Sequence, residues 1–169
     1  MTVYKTFAKY VAPSVLAFAL SGVYAIVDGF FVGQSIGDAG LSAINVAFPV
    51  VSLIQALGTG IGMGGAVLWS VRRGTDDGSS SRYVRTTLWL LLFVSAIMTA
   101  CYPLAGPILR LFGAEGAIFS FGEEYLRVIM LGAVFQIFAT GVVPLIRNAG
   151  GAVFAFLTMV SGFVANIFL

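Results

Sequence analysis

The sequence predicts an all-α integral membrane protein. Of its 169 residues, 59% are hydrophobic and 9% are charged, and the mean hydropathy is +1.01. A soluble domain carries about 25% charged residues, so this composition is typical of a chain surrounded by lipid. Apolar runs long enough to cross a bilayer recur along the chain, and a helix is the structure that satisfies its own backbone hydrogen bonds in hydrocarbon. Five transmembrane helices are therefore predicted, at residues 7–32, 44–71, 83–112, 125–146 and 153–169.

The first two helices have distinct sequence features. The run at 7–32 follows a basic amino-terminal segment, but it is too long for a cleaved signal peptide and counts as a span. The run at 44–71 contains the glycine-rich segment GTGIGMGG. Both runs exceed the length of about 18 residues that a membrane-crossing helix needs.

The last three helices are interrupted or open-ended. The run at 83–112 contains Pro103 and Pro107, and the run at 125–146 contains Pro144. Each proline removes a backbone donor and can bend its span. The run at 153–169 is still apolar where the sequence stops at Leu169.

The basic residues predict a cytoplasmic amino terminus. With this orientation seven of the nine fall on the inner side and two near the outer ends, which agrees with the tendency of lysine and arginine to remain in the cytoplasm. The inner set is Lys5, Lys9, Arg72, Arg73, Arg82, Arg85 and Arg147, and the outer set is Arg110 and Arg127. Arg147 is expected to anchor the cytoplasmic end of the fourth helix.

An aspartate lies within the first apolar run, in AIVDGFFVGQSIG. Helical spacing places Ser21, Tyr24 and Asp28 on one face at intervals of three and four residues. A carboxylate facing lipid costs roughly 2.5–3.5 kcal/mol on insertion scales, so Asp28 is expected to face the bundle interior. Intramembrane acids are functional candidates by default. The alternative is a carboxylate at the outer interface that is reached by water and has no function.

Asn166 is expected to lie at the depth of Asp28. Asp28 is roughly 28 Å along a helix from Lys9, and Asn166 is roughly 24 Å from the start of the fifth helix near Gly150, at 1.5 Å per residue. A carboxylate and a carboxamide at one level could bind a small hard cation such as Na⁺, or stabilise a bound proton. A packing amide is the alternative for Asn166. Gln55, near the middle of the second helix, is expected to face the interior and is a candidate substrate contact.

The glycine-rich segment predicts close helix packing. Its Gly60, Gly62 and Gly65 have the spacing GxGxxG, but that fingerprint indicates a dinucleotide site only between a strand and a helix. The pairs Gly58–Gly62 and Gly60–Gly64 are GxxxG motifs, which let a neighbouring helix approach the backbone. A hinge that deforms during transport is the second interpretation.

Several functions are unfavourable on composition alone. The net charge of +2 is too small to indicate nucleic-acid binding. The absence of histidine excludes an HExxH zinc site, no GxSxG is present, and one intramembrane aspartate cannot form an aspartyl dyad. The single cysteine, Cys101, can form no disulfide within the chain. The sequence therefore predicts neither an enzyme nor a bound cofactor.

Five stretches together resemble the multidrug and toxic compound extrusion (MATE) transporters. They are AIVDGFFVGQSIGDAGLSAINVAFP, PILRLFGAEG, EEYLRVIMLG, PLIRNAGG and ANIFL. The resemblance implies two pseudo-symmetric six-helix lobes around a cavity, and export of amphipathic, often cationic compounds in exchange for Na⁺ or H⁺. It implies that Asp28 matches the acid of the first helix, that Asn166 matches the amide of the fifth, and that Tyr24 lines the pocket.

The resemblance also implies that the chain is incomplete. In the family pattern a second acid follows the amide four positions later, and this chain stops one residue short, at Leu169. We therefore expect an amino-terminal piece of a transporter, five helices of a six-helix lobe in a bacterial cytoplasmic membrane, whose partners are the lipid bilayer and the remaining helices. A related flippase of lipid-linked oligosaccharides and a non-transporting structural subunit are the alternatives, although a flippase needs more basic residues to meet pyrophosphate.

Overall fold

The computed structural model describes residues 3–74 and 80–168. Within them, the side chains of residues 3, 5, 6, 8–10, 13, 14, 17, 18 and 166–168 fall outside the described set. In these ranges the chain is helical without a strand, as the sequence predicts. The helices are α1 (Val3–Ser35), α2 (Asp38–Gly74), α3 (Ser80–Ala100), α4 (Ala105–Leu111), α5 (Gly116–Leu131), α6 (Ala133–Asn148) and α7 (Ala152–Phe168), with a short 3-10 turn at Tyr102–Leu104.

The chain divides into two compact units. One unit combines Met1–Phe31 with Ile146–Leu169, and thus holds most of α1 together with α7. The second unit is the continuous segment Val32–Leu145, which holds α2 to α5 and most of α6. The first unit contains most of the predicted site residues and is described in the next subsection.

The second unit has an apolar core built from α2 to α6. Its fully buried side chains come from five helices, and they are Ile54, Leu91, Leu109, Leu126, Met130 and Ile137. Because each helix contributes one or two large residues at helical spacing, the opposite faces remain free for lipid. Exposed Trp89, Phe93 and Phe135 lie on such faces.

Glycines bring α2 against α3 and α6. A β-carbon at Gly58 or Gly62 would overlap Thr140 or the backbone of Gly141, and one at Gly65 would overlap Thr87. The first GxxxG pair, Gly58–Gly62, is therefore a packing motif as predicted. The second pair is different, because nothing lies within 4 Å of a β-carbon built at Gly60 or at Gly64.

The third predicted helix is divided. The sequence predicts one helix over 83–112, but α3 ends at Ala100, and the 3-10 turn and α4 follow. Pro103 lies in that turn, where a missing N–H is tolerated but a continuous α-helix is not. At the end of α4, Gly113 has φ +83°, and the amides of Gly113 and Ala114 donate to Arg110 and Leu109. This Schellman motif reverses the chain toward α5.

The fourth predicted helix is bent. The sequence predicts a helix over 125–146, whereas α5 begins at Gly116 and meets α6 at Gly132 with a bend of 57°. Gly132 ends α5 and its carbonyl accepts the first amides of the next helix, from Phe135 and Gln136. Pro144, which the sequence suggested as a bending position, lies within the continuous helix α6.

Among the described residues, α2 and α3 are each long and apolar enough to cross a membrane. The bent pair α5 and α6 forms a third candidate, and α7 is a shorter apolar helix. The structure thus supports an all-helical chain with two or three candidate spans, while the number five stays a prediction.

Candidate site between α1 and α7

The first unit places α1 beside α7 through a pair of aromatic rings. Tyr24 and Phe163 stack with their ring centroids 5.2 Å apart and their planes inclined by 17°. Both side chains are half-buried. Near-parallel stacking at this distance is an attractive arrangement worth about 0.5–1.5 kcal/mol beyond the buried area, so this contact fixes the register of the two helices.

The three residues of the predicted stripe lie on α1 but differ in burial. Ser21 and Tyr24 are half-buried, and Asp28, one turn beyond Tyr24, is exposed. Asp28 forms no hydrogen bond or ion pair with any side chain that the structure describes. A carboxylate in this position has its acceptor oxygens available for a proton or a cation.

The other two predicted residues are placed differently. Asn166 lies in the last turn of α7, three residues beyond Phe163, and its side chain is outside the described set. Gln55 is exposed on α2 and belongs to the second unit. The structure therefore brings Tyr24 to α7, and it leaves the expected contacts of Ser21, Gln55 and Asn166 as predictions.

Arg147 contacts α7, since its Nη2 donates to Sδ of Met159 at 3.7 Å. Its expected role as an anchor at the cytoplasmic end of the helix stays a prediction. The chain between the two helices turns at Gly150, which has φ +93°, and the amides of Gly150 and Gly151 donate to Arg147 and Ile146. This turn ends α6 and leads into α7.

Two residues of the site were missed in the sequence, Met159 and Phe163. Together with Asn166 they are spaced four and three residues apart, which places all three on one face of α7. The spacing is present in the sequence, but it does not single out these residues because α7 is strongly apolar along its length.

No group of three or more acidic or cysteine side chains in the described part of the chain could hold a metal ion. One carboxylate can still supply a ligand to a weakly held monovalent cation, or bind one proton. The chemistry that Asp28 can offer is thus reversible neutralisation of one negative charge, one helical turn along α1 from the residue that stacks on Phe163.

Comparison with known proteins identifies the family. The MatE family model matches residues 13–169. The multidrug export protein MepA of Staphylococcus saprophyticus is 28% identical over 172 residues, and MepA of Staphylococcus aureus is 26% identical over 174 residues. Each match covers 99% of this chain and 38% of the relative, so the chain spans less than half the length of these proteins.

Solved structures show the same arrangement of helices. An outward-facing multidrug resistance MATE family transporter of the MOP superfamily superposes with a TM-score of 0.89 at 29% identity. A MOP superfamily transporter from Pyrococcus furiosus, described as having a binding pocket of reverse polarity, gives the same values. Each match covers 98% of this chain and 37% of the solved one.

An all-helical chain with apolar candidate spans that superposes on solved transporters belongs to a class, the membrane transporters. Within that class the chain belongs to the MatE family, whose model covers nearly all of it.

Proposed function

We propose that this chain is part of a cation-coupled multidrug efflux antiporter, in which Asp28 alternately binds and releases Na⁺ or H⁺. The family match and the two multidrug export relatives support the transport function. In this proposal the chain forms five helices of a six-helix amino-terminal lobe in a bacterial cytoplasmic membrane, and the amino terminus is cytoplasmic.

The Tyr24–Phe163 stack carries the proposal. If each span crosses the membrane once, α1 and α7 run in the same direction, because three crossings separate them. One turn beyond the stacked rings, α1 then presents Asp28 and α7 presents Asn166 at about the same level. A carboxylate and an amide at one level can share a small cation, or hold a proton on the carboxylate.

Coupling follows from competition for the same charge. A cation or proton on Asp28 removes the negative charge that would otherwise attract a cationic compound. Whatever weakens drug binding when the ion is bound must weaken ion binding when the drug is bound, to the same extent. The ion gradient can therefore drive export without any covalent step.

The exposure of Asp28 fits this proposal, since the chain spans 38% of the length of its relatives. In a complete transporter, the helices beyond this chain would enclose the surface where Asp28 lies. A charged side chain there is tolerated when it faces a water-filled cavity and costly when it faces lipid.

The test measures ethidium uptake into everted membrane vesicles that carry the full-length transporter, under an imposed Na⁺ or H⁺ gradient. Uptake into such vesicles corresponds to efflux from the cell. We expect Asp28→Asn to abolish gradient-driven efflux while leaving the amount of inserted protein unchanged, and Asn166→Ala to weaken it less. Asp38→Asn, at the start of α2, is the matched control. Undiminished efflux by Asp28→Asn would contradict the proposal, and comparing the two gradients identifies the ion.

A further inference from the structure

The side of α3 that faces away from the core carries arginines near the start of the helix and aromatic rings further along it. The buried residues of α3 recur every four positions, and they are Thr87, Leu91 and Ser95. At 3.6 residues per turn, the opposite side of the helix holds an exposed set, which is Arg82, Arg85, Trp89 and Phe93. The two aromatic side chains are 66% and 64% exposed. This exposed set, the outer stripe of α3, is thus continuous over three turns of the helix.

The two arginines of the outer stripe make no contact that fixes their guanidinium groups. No hydrogen bond, ion pair or ring contact joins Arg82 or Arg85 to another side chain in residues 3–74 and 80–168. Arg73, at the end of the neighbouring helix α2, differs because its guanidinium lies over the ring of Trp69, 5.6 Å from the centroid. The donors of Arg82 and Arg85 are therefore available to a group from outside the described chain.

The spacing of these arginines suits a phosphate group. Residues three positions apart in a helix are neighbours on its surface, with β-carbons about 5–6 Å apart. A guanidinium presents a planar fork of donors that matches two oxygens of a phosphate. Arg82 and Arg85 can therefore both donate to a single phosphate, which would lie between their two side chains.

The remainder of the outer stripe has the polarity of a lipid molecule. Trp89 lies about 6 Å along α3 beyond Arg85, and Phe93 about 6 Å further, at 1.5 Å per residue. Arginine near the end of a span extends its charge toward the membrane surface, and tryptophan is enriched at the level of the lipid headgroups. Charge, interfacial ring and apolar ring thus follow one another as the phosphate, the ester region and the acyl chains do in a phospholipid.

We infer that the outer stripe of α3 binds one anionic phospholipid. Its phosphate is shared by Arg82 and Arg85, and its acyl chains lie along Trp89 and Phe93. Charge complementarity selects an anionic lipid such as phosphatidylglycerol, because the choline of phosphatidylcholine cancels the charge of the phosphate. An arginine near the membrane surface favours an anionic lipid about 5-fold. The inference goes beyond the proposed function and does not depend on Asp28.

A fluorescent label on the same side of α3 tests the inference. Ala96 is exposed and lies three residues beyond Phe93, so Ala96→Cys places a bimane label beside the acyl chains of the bound lipid. The full-length transporter, free of other cysteines, is reconstituted in phosphatidylcholine vesicles that contain brominated phosphatidylglycerol or brominated phosphatidylcholine as the quencher. The two quenching curves give the relative affinity of the labelled site for the two lipids.

The expected result is a preference for phosphatidylglycerol that depends on both arginines. We expect a ratio of about 5-fold or more in the wild-type protein, and a ratio of about 1 in the double variant Arg82→Gln with Arg85→Gln. Arg82→Lys with Arg85→Lys keeps the charge but loses the planar fork, so it should retain only part of the preference. Arg110→Gln is the matched control, since Arg110 is exposed in the same unit but lies over the ring of Phe119, and it should leave the ratio unchanged.

The inference is overturned if the wild-type ratio is about 1, or if the glutamine variants leave it unchanged, because the arginines then pair with an acid of residues 75–79. It is also overturned if the lysine variants match the wild-type protein, since diffuse attraction by positive charge would then explain the preference. Loss of the preference in excess glycerol 3-phosphate would assign the arginines to a soluble anion instead. Failure of the proposed function is distinguishable, since it would appear as gradient-driven efflux by Asp28→Asn.

Discussion

The glycines of α2 divide into two sets with opposite environments. Gly58, Gly62 and Gly65 are buried against α6 and α3, whereas Gly60 and Gly64 face open space. A methyl group is therefore excluded from one side of the helix and accepted on the other. The GxGxxG spacing, which mixes both sets, has no common structural role here.

A matched pair of substitutions tests this division. Gly62→Ala places a methyl group on the backbone of Gly141, and we expect it to destabilise the protein by about 1–3 kcal/mol, as overpacking does. Gly64→Ala meets no atom within 4 Å and should be neutral or slightly stabilising, since alanine favours helix over glycine. Thermal unfolding in detergent measures both. Equal melting temperatures for the two variants would contradict the packing described here.

The candidate site was partly predictable at the level of single residues. Helical periodicity predicts Ser21, Tyr24 and Asp28 on one face of α1, and all three lie within that helix. The stacking partner of Tyr24 could not be predicted, because the approach of α7 to α1 depends on packing between segments distant in sequence. The contact of Arg147 with Met159 could not be predicted for the same reason.

The individual helices are ended by glycines that adopt positive φ. Gly37, Gly113 and Gly150 follow α1, α4 and α6, with φ of +77°, +83° and +93°. Side chains with a β-carbon are disfavoured in this region. Gly132 is an exception, since it is at a φ of −79° although it joins two helices bent by 57°.

This difference predicts the outcome of two alanine substitutions. Gly113→Ala should cost about 1–2 kcal/mol, because the left-handed conformation is strained for alanine. Gly132→Ala should be tolerated, since its φ is ordinary and a β-carbon there would lie 3.4 Å from the carbonyl oxygen of Val128. Melting temperatures of the two variants should differ by several degrees in that direction. A larger loss for Gly132→Ala would show that the bend requires glycine itself.

The helix boundaries show why hydropathy predicts apolar runs but not the breaks within them. Apolar composition continues through Cys101 and Gly132, so hydropathy indicates one continuous run where the backbone forms two helices. The first break coincides with Pro103, which lacks a backbone N–H and can interrupt a helix. The second has no proline, and a glycine within an apolar run does not by itself predict a bend.

At the scale of the whole molecule, the distribution of basic residues predicts the orientation. A cysteine introduced between Thr75 and Ser81, in a background without other cysteines, should react with a membrane-impermeant maleimide only in inside-out vesicles. A cysteine at Glu115, which lies between α4 and α5, is the matched control and should react in intact cells. Labelling of the first site from outside would reverse the predicted topology.

The chain spans 38% of the length of its multidrug export relatives, which predicts its behaviour when expressed alone. Residues 1–169 should confer no drug resistance and should be poorly stable in detergent, because polar and small-residue faces such as those of Asp28 and Gly60 then contact lipid. The minimum inhibitory concentration of ethidium measures this against cells carrying the full-length transporter. Resistance from residues 1–169 alone would show that this segment transports by itself.

The pairing of α1 with α7 has a consequence for how the protein is made. Phe163 leaves the ribosome roughly 140 residues after Tyr24, which at 5–20 residues per second is a delay of about 7–28 s. During this interval the unit Val32–Leu145 is complete, while the first helix has already entered the membrane without its aromatic partner. Until α7 is inserted, α1 therefore lies in the membrane without its packing partner, and Asp28 is accessible to the quality control of membrane proteins.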